Sequence, residues 1–113
     1  MTLLNVNTSC ILSVAMADLG FTWDEAKART NASKHGVSFD EAQTAFFDER
    51  ARVIDDPDHS DDEDRFILLG MSAKPRLLIV VYAYRDRDAK IRIISARKAL
   101  PQERALYNQK ARS

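Results

Sequence analysis

The sequence contains little of what builds disulfide scaffolds, low-complexity segments or membrane spans. Its 113 residues include one cysteine, three glycines and three prolines. The single thiol, Cys10, excludes an internal disulfide and a zinc site made of several thiolates. So little glycine and proline excludes collagen-like and low-complexity chains, and no run approaches the roughly 20 apolar residues of a membrane-spanning helix. With 45% hydrophobic and 30% charged residues, we expect one compact cytoplasmic domain with no membrane segment.

The formal net charge is zero, but the charges are unevenly distributed along the chain. Residues 1–47 carry a net charge of −2, residues 48–64 carry −7, and residues 65–113 carry +9. The cationic C-terminal half is suited to binding a polyanion locally. Composition alone leaves a second interpretation open, in which the acidic and basic segments neutralise each other within the fold.

The first 18 residues contain no Lys or Arg. A secretory signal needs a basic start before its apolar stretch, so we do not expect one here. Two alternatives remain: translation starts at Met16, or the segment is a tail that docks on the domain or on a partner. We therefore divide the chain into an N-terminal extension, residues 1–18, and a domain, residues 19–113.

Capping signals predict two consecutive helices in the first half of the domain. Asp24 is a typical N-cap residue, and Gly36 suits the end of the helix that follows it. Ser38 and Glu41 have the spacing of a capping box, in which each side chain bonds the other residue's backbone N–H. This second helix is expected to end near Asp48.

The rest of the pattern predicts strands and a last helix. Strand-like segments lie at residues 21–23, 51–55, 65–72, 76–85 and 90–97. The run 77–84 is apolar on both faces, which places it at the centre of a sheet, and short turns join the last three strands into an antiparallel meander. Pro101 suits the first turn of a C-terminal helix. The expected fold is α+β, an antiparallel sheet packed against two N-terminal helices, with a C-terminal helix.

Motifs over residues 21–107 resemble the BrnT toxin family. The matching residues are Phe21-x-Trp23-Asp24-x-x-Lys27, Asn31-x-x-Lys34-His35-Gly36-Val37-Ser38-Phe39-Asp40-Glu41-Ala42, Asp58-His59-Ser60, Glu63-x-Arg65, Val81-Tyr82-x-x-Arg85, Arg92-Ile93-Ile94-Ser95-Ala96-Arg97-x-Ala99 and Glu103-Arg104-x-x-Tyr107. The resemblance implies a RelE-like fold and the activity of a ribonuclease toxin from a type II toxin–antitoxin module. It also implies neutralisation by a DNA-binding antitoxin, BrnA, in a complex that represses its own operon.

The expected partners follow from the same resemblance. They are an RNA substrate, a BrnA-like ribbon-helix-helix antitoxin in a hetero-oligomer, and operator DNA bound through that antitoxin. A different class of function also remains open, a non-catalytic protein-binding subunit of a DNA-binding repressor complex. In that interpretation the arginines and the acidic loop form a protein interface.

Metal-free RNA cleavage sets three chemical requirements. The substrate's 2′-OH attacks the adjacent phosphate, so the enzyme supplies a base, an acid for the departing 5′-oxygen, and cations for the charge on the phosphorane. The acidic loop, residues 55–64, has no fixed ligand periodicity and lacks the Gly and Glu positions of a calcium loop. We therefore expect no metal and no other cofactor.

Arginines at the ends of the predicted strands are the candidates for phosphate stabilisation, because guanidinium is always charged and binds phosphate oxygens in a bidentate manner. The candidates are Arg65, Arg85, Arg92 and Arg97; we assign Arg65, Arg85 and Arg97 to catalysis and Arg92 to substrate binding. Alternatively, strand-end arginines solvate the sheet edge or pair with the acidic loop.

The facing of these arginines depends on the turn after Arg85. With a four-residue turn, Arg85 lies opposite Lys90 and shares a face with Arg92. With an odd number of residues, Arg85 shares a face with Ile91, Ser95 and Arg97 instead. We favour the arrangement that places Arg85 with Arg97.

His35 is the candidate acid or base, because imidazole titrates near neutral pH. Its alternative role is to cap the last carbonyl groups of the first helix. Lys34, Glu63 and Tyr107 are further candidates for substrate binding. For Glu63 the alternative is pairing with Arg65 or solvation, and for Tyr107 it is packing of the last helix.

Overall fold

The structure, a computed structural model, describes residues 20–55, 65–85 and 90–112. Its elements are β1 (Gly20–Thr22), α1 (Glu25–His35), α2 (Phe39–Thr44) with a 3₁₀ turn (Ala45–Phe47), β2 (Arg52–Asp55), β3 (Arg65–Met71), β4 (Leu77–Arg85), β5 (Lys90–Lys98) and α3 (Pro101–Arg112). The predicted order of elements is thereby confirmed. The N-terminal extension and most of the acidic loop, including Glu63, lie outside the described residues. None of the described helices is long and apolar enough to cross a bilayer.

The five strands form one sheet in the order β1-β5-β4-β3-β2. Strands β2 to β5 are antiparallel neighbours, so the predicted meander is confirmed and the doubly apolar β4 lies at the centre. The expectation of a wholly antiparallel sheet is wrong at one edge, because β1 pairs with β5 in parallel. No hairpin fixes the direction of this pair, since α1, α2 and three strands intervene between β1 and β5.

Helix α1 begins and ends at the predicted caps. The Asp24 carboxylate accepts hydrogen bonds from the backbone N–H groups of Ala26 (2.8 Å) and Lys27 (3.2 Å). Gly36 follows the helix with φ 71°, in the left-handed region that a side chain disfavours, and its N–H donates to Ala32 O. These caps fix the position of Lys34 and His35 in the last turn.

At the start of helix α2, one of the two hydrogen bonds of the predicted capping box is present. Ser38 Oγ accepts from the Glu41 N–H at 3.0 Å. The predicted reciprocal bond from the Ser38 N–H to the Glu41 side chain is wrong. The Glu41 carboxylate accepts instead from Ser72 Oγ (2.7 Å) and Arg76 Nε (2.9 Å), and a second Arg76 nitrogen completes the ion pair. This buried contact fastens α2 to the turn between β3 and β4, and the Arg76 hydrogen bond lowers the pKa of Glu41 although burial opposes it.

The sheet has two packed faces. One face packs under α1 and α2, and its fully buried side chains are Leu78, Val80, Ile91 and Ile93 together with Val37 and Phe39 from the helical side. We call the opposite face the α3 face. There α3 contributes Tyr107 to a smaller cluster with Leu69, Leu77, Ile79 and Ala99.

Strand β3 passes very close to the 3₁₀ turn at Gly70. A Cβ atom built on Gly70 would lie 2.9 Å from the carbonyl oxygen of Ala45 and 3.2 Å from Ala51 Cβ. A backbone oxygen cannot move as a flexible side chain can, so this crossing requires glycine.

Candidate active site

The register of β4 and β5 decides where the candidate arginines lie. Arg85 pairs with Lys90, so four residues separate the strands and the odd-numbered turn is wrong. Going back along β4, Ala83 pairs with Arg92. The backbone register therefore places position 85 on the same face of the sheet as Arg92. The side chain of Arg85 lies outside what the structure describes.

A β-bulge in β5 places Arg97 on the same face of the sheet as Arg92. Tyr82 pairs with Ile93 and the preceding Val81 pairs with Ser95, which leaves Ile94 as the extra residue. Arg92 and Arg97 are five positions apart, so strict alternation would place them on opposite faces. The bulge cancels that offset, and both lie on the α3 face.

Arg65 and Arg92 flank one small residue on this face. Arg65 pairs with Ala83 across β3–β4, and Ala83 pairs with Arg92 across β4–β5. Neighbouring strands lie about 4.8 Å apart, so the Cα atoms of the two arginines are separated by roughly 10 Å. Both arginines are half-buried. Two guanidinium-bearing side chains thus lie on either side of Ala83.

Arg97 is held by an acidic partner from α3. Its two terminal nitrogens donate to the Glu103 carboxylate at 2.9 and 2.8 Å, and one of them also donates to Lys98 O at 3.2 Å. The hydrogen bonds to Arg97 lower the pKa of Glu103 and the same bonds raise that of Arg97. This bidentate pair attaches α3 to β5.

The Arg97–Glu103 pair lies at the rim of a cavity of about 290 Å³ under α3. The cavity has an apolar lining formed by Ile54, Ile67, Leu69, Ile79 and Leu106. On its β2 side, Arg52 donates to the Leu106 carbonyl at 2.9 Å. Helix α3 is therefore attached to the sheet at both β2 and β5.

Lys34 and His35 lie in a different depression. This hollow, of about 310 Å³, is bounded by α1 and the bulged part of β5, where Ile94 and Ser95 line it. Ser95 also pairs with Val81 in the ladder, so the hollow adjoins the edge of the α3 face. The structure thus brings Lys34 and His35 together at the edge of β5, while Arg97 lines the cavity under α3.

Tyr107 is used in packing. It is 6% exposed, its hydroxyl donates to Asp48 Oδ2 at 2.7 Å, and the Arg50 guanidinium carbon lies 5.5 Å from its ring centroid. Burial and the hydrogen bond to Asp48 raise the pKa of Tyr107 to about 12. Its predicted contact with substrate stays a prediction, as does that of Glu63.

Two residues with a part in this geometry belong to the family motifs named above but were given no role from the sequence. Glu103 has a recognisable signal, because it lies in the first turn of α3 and accepts from the Leu100 N–H at 2.7 Å, as a capping carboxylate does. The contacts of Asn31 with β5 have no local signal, because both of these hydrogen bonds are made to Ala96, 65 residues away.

No three His, Cys, Asp or Glu side chains of the described ranges lie together as a metal site would require. The acidic segment 56–64 is outside those ranges.

Comparison with known proteins identifies the family. Residues 23–103 match the family model described as ribonuclease toxin, BrnT, of type II toxin-antitoxin system. The chain belongs to the BrnT family. The crystal structure of the Brucella abortus ribonuclease toxin BrnT is similar, with 25% sequence identity and a TM-score of 0.56 over 73% of this chain and 97% of that one. No curated protein sequence matches the chain.

Membership of the BrnT family settles the choice between the two classes of function. The chain is an endoribonuclease toxin of a type II toxin–antitoxin system, with an RNA target and an antitoxin partner. A mixed five-stranded sheet with three helices in the described ranges is the fold on which this activity is built.

Proposed function

We propose that this BrnT-family toxin cleaves RNA without a metal ion, with the scissile phosphate bound over Ala83 between Arg65 and Arg92. The observation that supports it is the ladder row in which these three residues are neighbours. A phosphate at this point accepts hydrogen bonds from a guanidinium on either side. Ala83 has no side chain beyond Cβ and is 5% exposed, so the phosphate contacts the guanidinium groups beside it.

The reaction transfers one proton from the 2′-OH and one proton to the 5′-oxygen. The O2′–P bond forms, the P–O5′ bond breaks, and the products carry a 2′,3′-cyclic phosphate and a 5′-hydroxyl. The arginines stabilise the extra negative charge on the phosphorane oxygens, which is typically the largest catalytic contribution. Arg85 and Arg97, in the same alternation, bind the flanking phosphates.

His35 is proposed as the acid or base, with Lys34 binding RNA beside it. The hollow that holds both side chains meets β5 at Ser95, three residues beyond Arg92. Three residues of strand span about 10 Å, so an RNA strand that crosses β5 at Arg92 extends to the mouth of this hollow, and proton transfer requires the bound RNA to bring the reacting oxygen within about 3 Å of the His35 imidazole. We place Glu63 and Tyr107 at the borders of the RNA path.

The experiment that tests this proposal is cleavage of an end-labelled RNA by the purified protein in excess EDTA. We expect cleavage, products with 2′,3′-cyclic phosphate and 5′-hydroxyl ends, and loss of cutting when the nucleotide 5′ to the cut lacks its 2′-OH. A requirement for Mg²⁺, or products with 5′-phosphate ends, would contradict the mechanism. Activity in the fragment 19–113 would place the toxin domain there.

For the partner, we propose a BrnA-like ribbon-helix-helix antitoxin that forms a hetero-oligomer with this chain in the cytoplasm and carries it to operator DNA. The type II classification supports an antitoxin. The edge strand β2 supports a protein partner, because Val53 and Ile54 are each more than half exposed on it. We expect a neighbouring gene to encode a small ribbon-helix-helix protein whose product stops cleavage when added in stoichiometric amount; an isolated gene would count against it.

A further inference from the structure

We infer that Asn31 is a positioning residue of the ribonuclease site, which holds the bulged part of β5 in the register that places Arg97 on the same face as Arg92. The inference rests on the proposed function, because it assigns Asn31 a part in binding RNA through these arginines. It concerns a residue of α1 whose own side chain is buried, at 6% exposure, and so does not touch the substrate.

The side-chain amide of Asn31 takes the place of a neighbouring strand. Its Oδ1 accepts from the Ala96 N–H at 3.1 Å, and its Nδ2 donates to the Ala96 carbonyl at 2.7 Å. A β-strand partner would satisfy the same two backbone groups. The second hydrogen of Nδ2 is donated to the Val37 carbonyl at 3.0 Å, so the amide also connects the chain after α1 to β5.

Asn31 makes these bonds beyond the point at which β1 stops pairing with β5. Strand β1 pairs with β5 only as far as Arg92, and the extra residue Ile94 lies two positions further along β5. On that side of β5 no β1 residue is paired with Ala96, the second residue after the bulge. Asn31 therefore anchors β5 immediately beyond its irregular segment, on the side opposite β4.

The register beyond the bulge determines the direction of Arg97. Ala96 is 1% exposed under α1 and α2, and Arg97, the next residue, alternates to the α3 face. A shift of β5 by one residue would exchange these directions. The same two bonds hold α1, which carries Lys34 and His35, against β5. One amide thereby fixes the relative position of the two groups of candidate residues.

The experiment is a double-mutant cycle on RNA cleavage with the full chain, using Asn31→Ala, Arg97→Ala and the double variant. We expect Asn31→Ala to lower kcat/KM at least tenfold, measured where the variant is fully folded, chiefly through a higher KM, because Arg97 binds a flanking phosphate. In the Arg97→Ala background the same substitution should lower kcat/KM less than threefold, because its effect passes through Arg97. Asn108→Ala, which changes an exposed asparagine of α3, is the matched control and should leave the rate of RNA cleavage unchanged.

Two kinetic results would overturn the inference: an unchanged kcat/KM in Asn31→Ala, or equal effects of that substitution with and without Arg97. If Asn31→Ala does not fold, Asn31→Asp replaces it, since it keeps the oxygen that accepts from Ala96 and removes the two donors. The register is read without RNA by hydrogen exchange, where the Ala96 N–H should lose at least tenfold protection in Asn31→Ala; retained protection also overturns the inference. Absence of cleavage by the wild type would contradict the proposed function instead.

Discussion

The pair Arg97–Glu103 allows a test that separates binding of RNA from attachment of α3. The two side chains are 38% and 20% exposed, so their bidentate contact is partly screened by water and contributes about 1 kcal/mol. Either Arg97→Ala or Glu103→Ala removes that contact. Each variant should therefore lose about 1 kcal/mol of unfolding free energy, and Glu103→Ala somewhat more because the Leu100 N–H loses its acceptor.

The two variants should differ in cleavage. Arg97→Ala removes a cation that binds a flanking phosphate and should lower kcat/KM by roughly 10- to 10²-fold, the loss typical of hydrogen bonds to a charged group. Glu103→Ala leaves that guanidinium without its acidic partner and should stay within threefold of the wild type. The salt dependence of RNA binding should decrease by about 0.7 per lost phosphate contact in Arg97→Ala alone.

The assays are urea denaturation and single-turnover cleavage of a labelled RNA over a salt series. Equal losses of cleavage in the two variants would refute the reasoning, because they would show that Arg97 acts by attaching α3 to β5.

Three other predictions concern stability. Glu41→Gln should lower the free energy of unfolding by about 2–3 kcal/mol, because it breaks an ion pair in which Glu41 is buried and Arg76 is partly exposed to solvent. The stabilisation by the Glu41 carboxylate is present above the ordinary carboxyl pKa and is lost as pH falls through the lowered pKa of Glu41. The stability of the variant should therefore depend less on acid pH than that of the wild type, and Asp40→Asn is the control that should be unaffected. Gly70→Ala should cost about 1–3 kcal/mol because its Cβ meets the Ala45 oxygen, whereas Gly20→Ala meets only a flexible lysine side chain and should be nearly neutral; equal melting temperatures would contradict this. The pKa values of Tyr82 and Tyr107 are both raised to about 12, so the contribution of these tyrosines to stability should be complete below pH 10 and should be lost as pH rises from 10 to 12. The midpoint of urea unfolding should fall over that interval, and a constant midpoint would contradict this prediction.

Local signals predicted most of the elements. Asp24, Gly36 and Ser38 each act through neighbours within four residues, and the structure places them as helix caps. The central position of β4 followed from its two apolar faces. These features depend on short-range physics, which the sequence displays directly.

The features that were wrong or missed depend on partners distant in sequence. The Glu41 carboxylate bonds Arg76, 35 residues away, instead of its own helix cap. The bulge at Ile94 cannot be inferred from alternation, because it is a departure from alternation held in place from outside the strand. Because of the bulge, the register places positions 85 and 97 on one face, although the odd-numbered turn and the predicted common face with Ile91 are both wrong.

The central claim is that Arg65 and Arg92 act on one phosphate from either side of Ala83. Its most direct test compares kcat for metal-free RNA cleavage in Arg65→Ala, Arg92→Ala and the double variant, with the exposed Arg104→Ala as control. We expect each single variant to lose roughly 10²-fold or more, the double variant to lose much less than the product of the two, and the control to be unchanged. Single variants that cleave within threefold of the wild type, or losses that multiply, would contradict it.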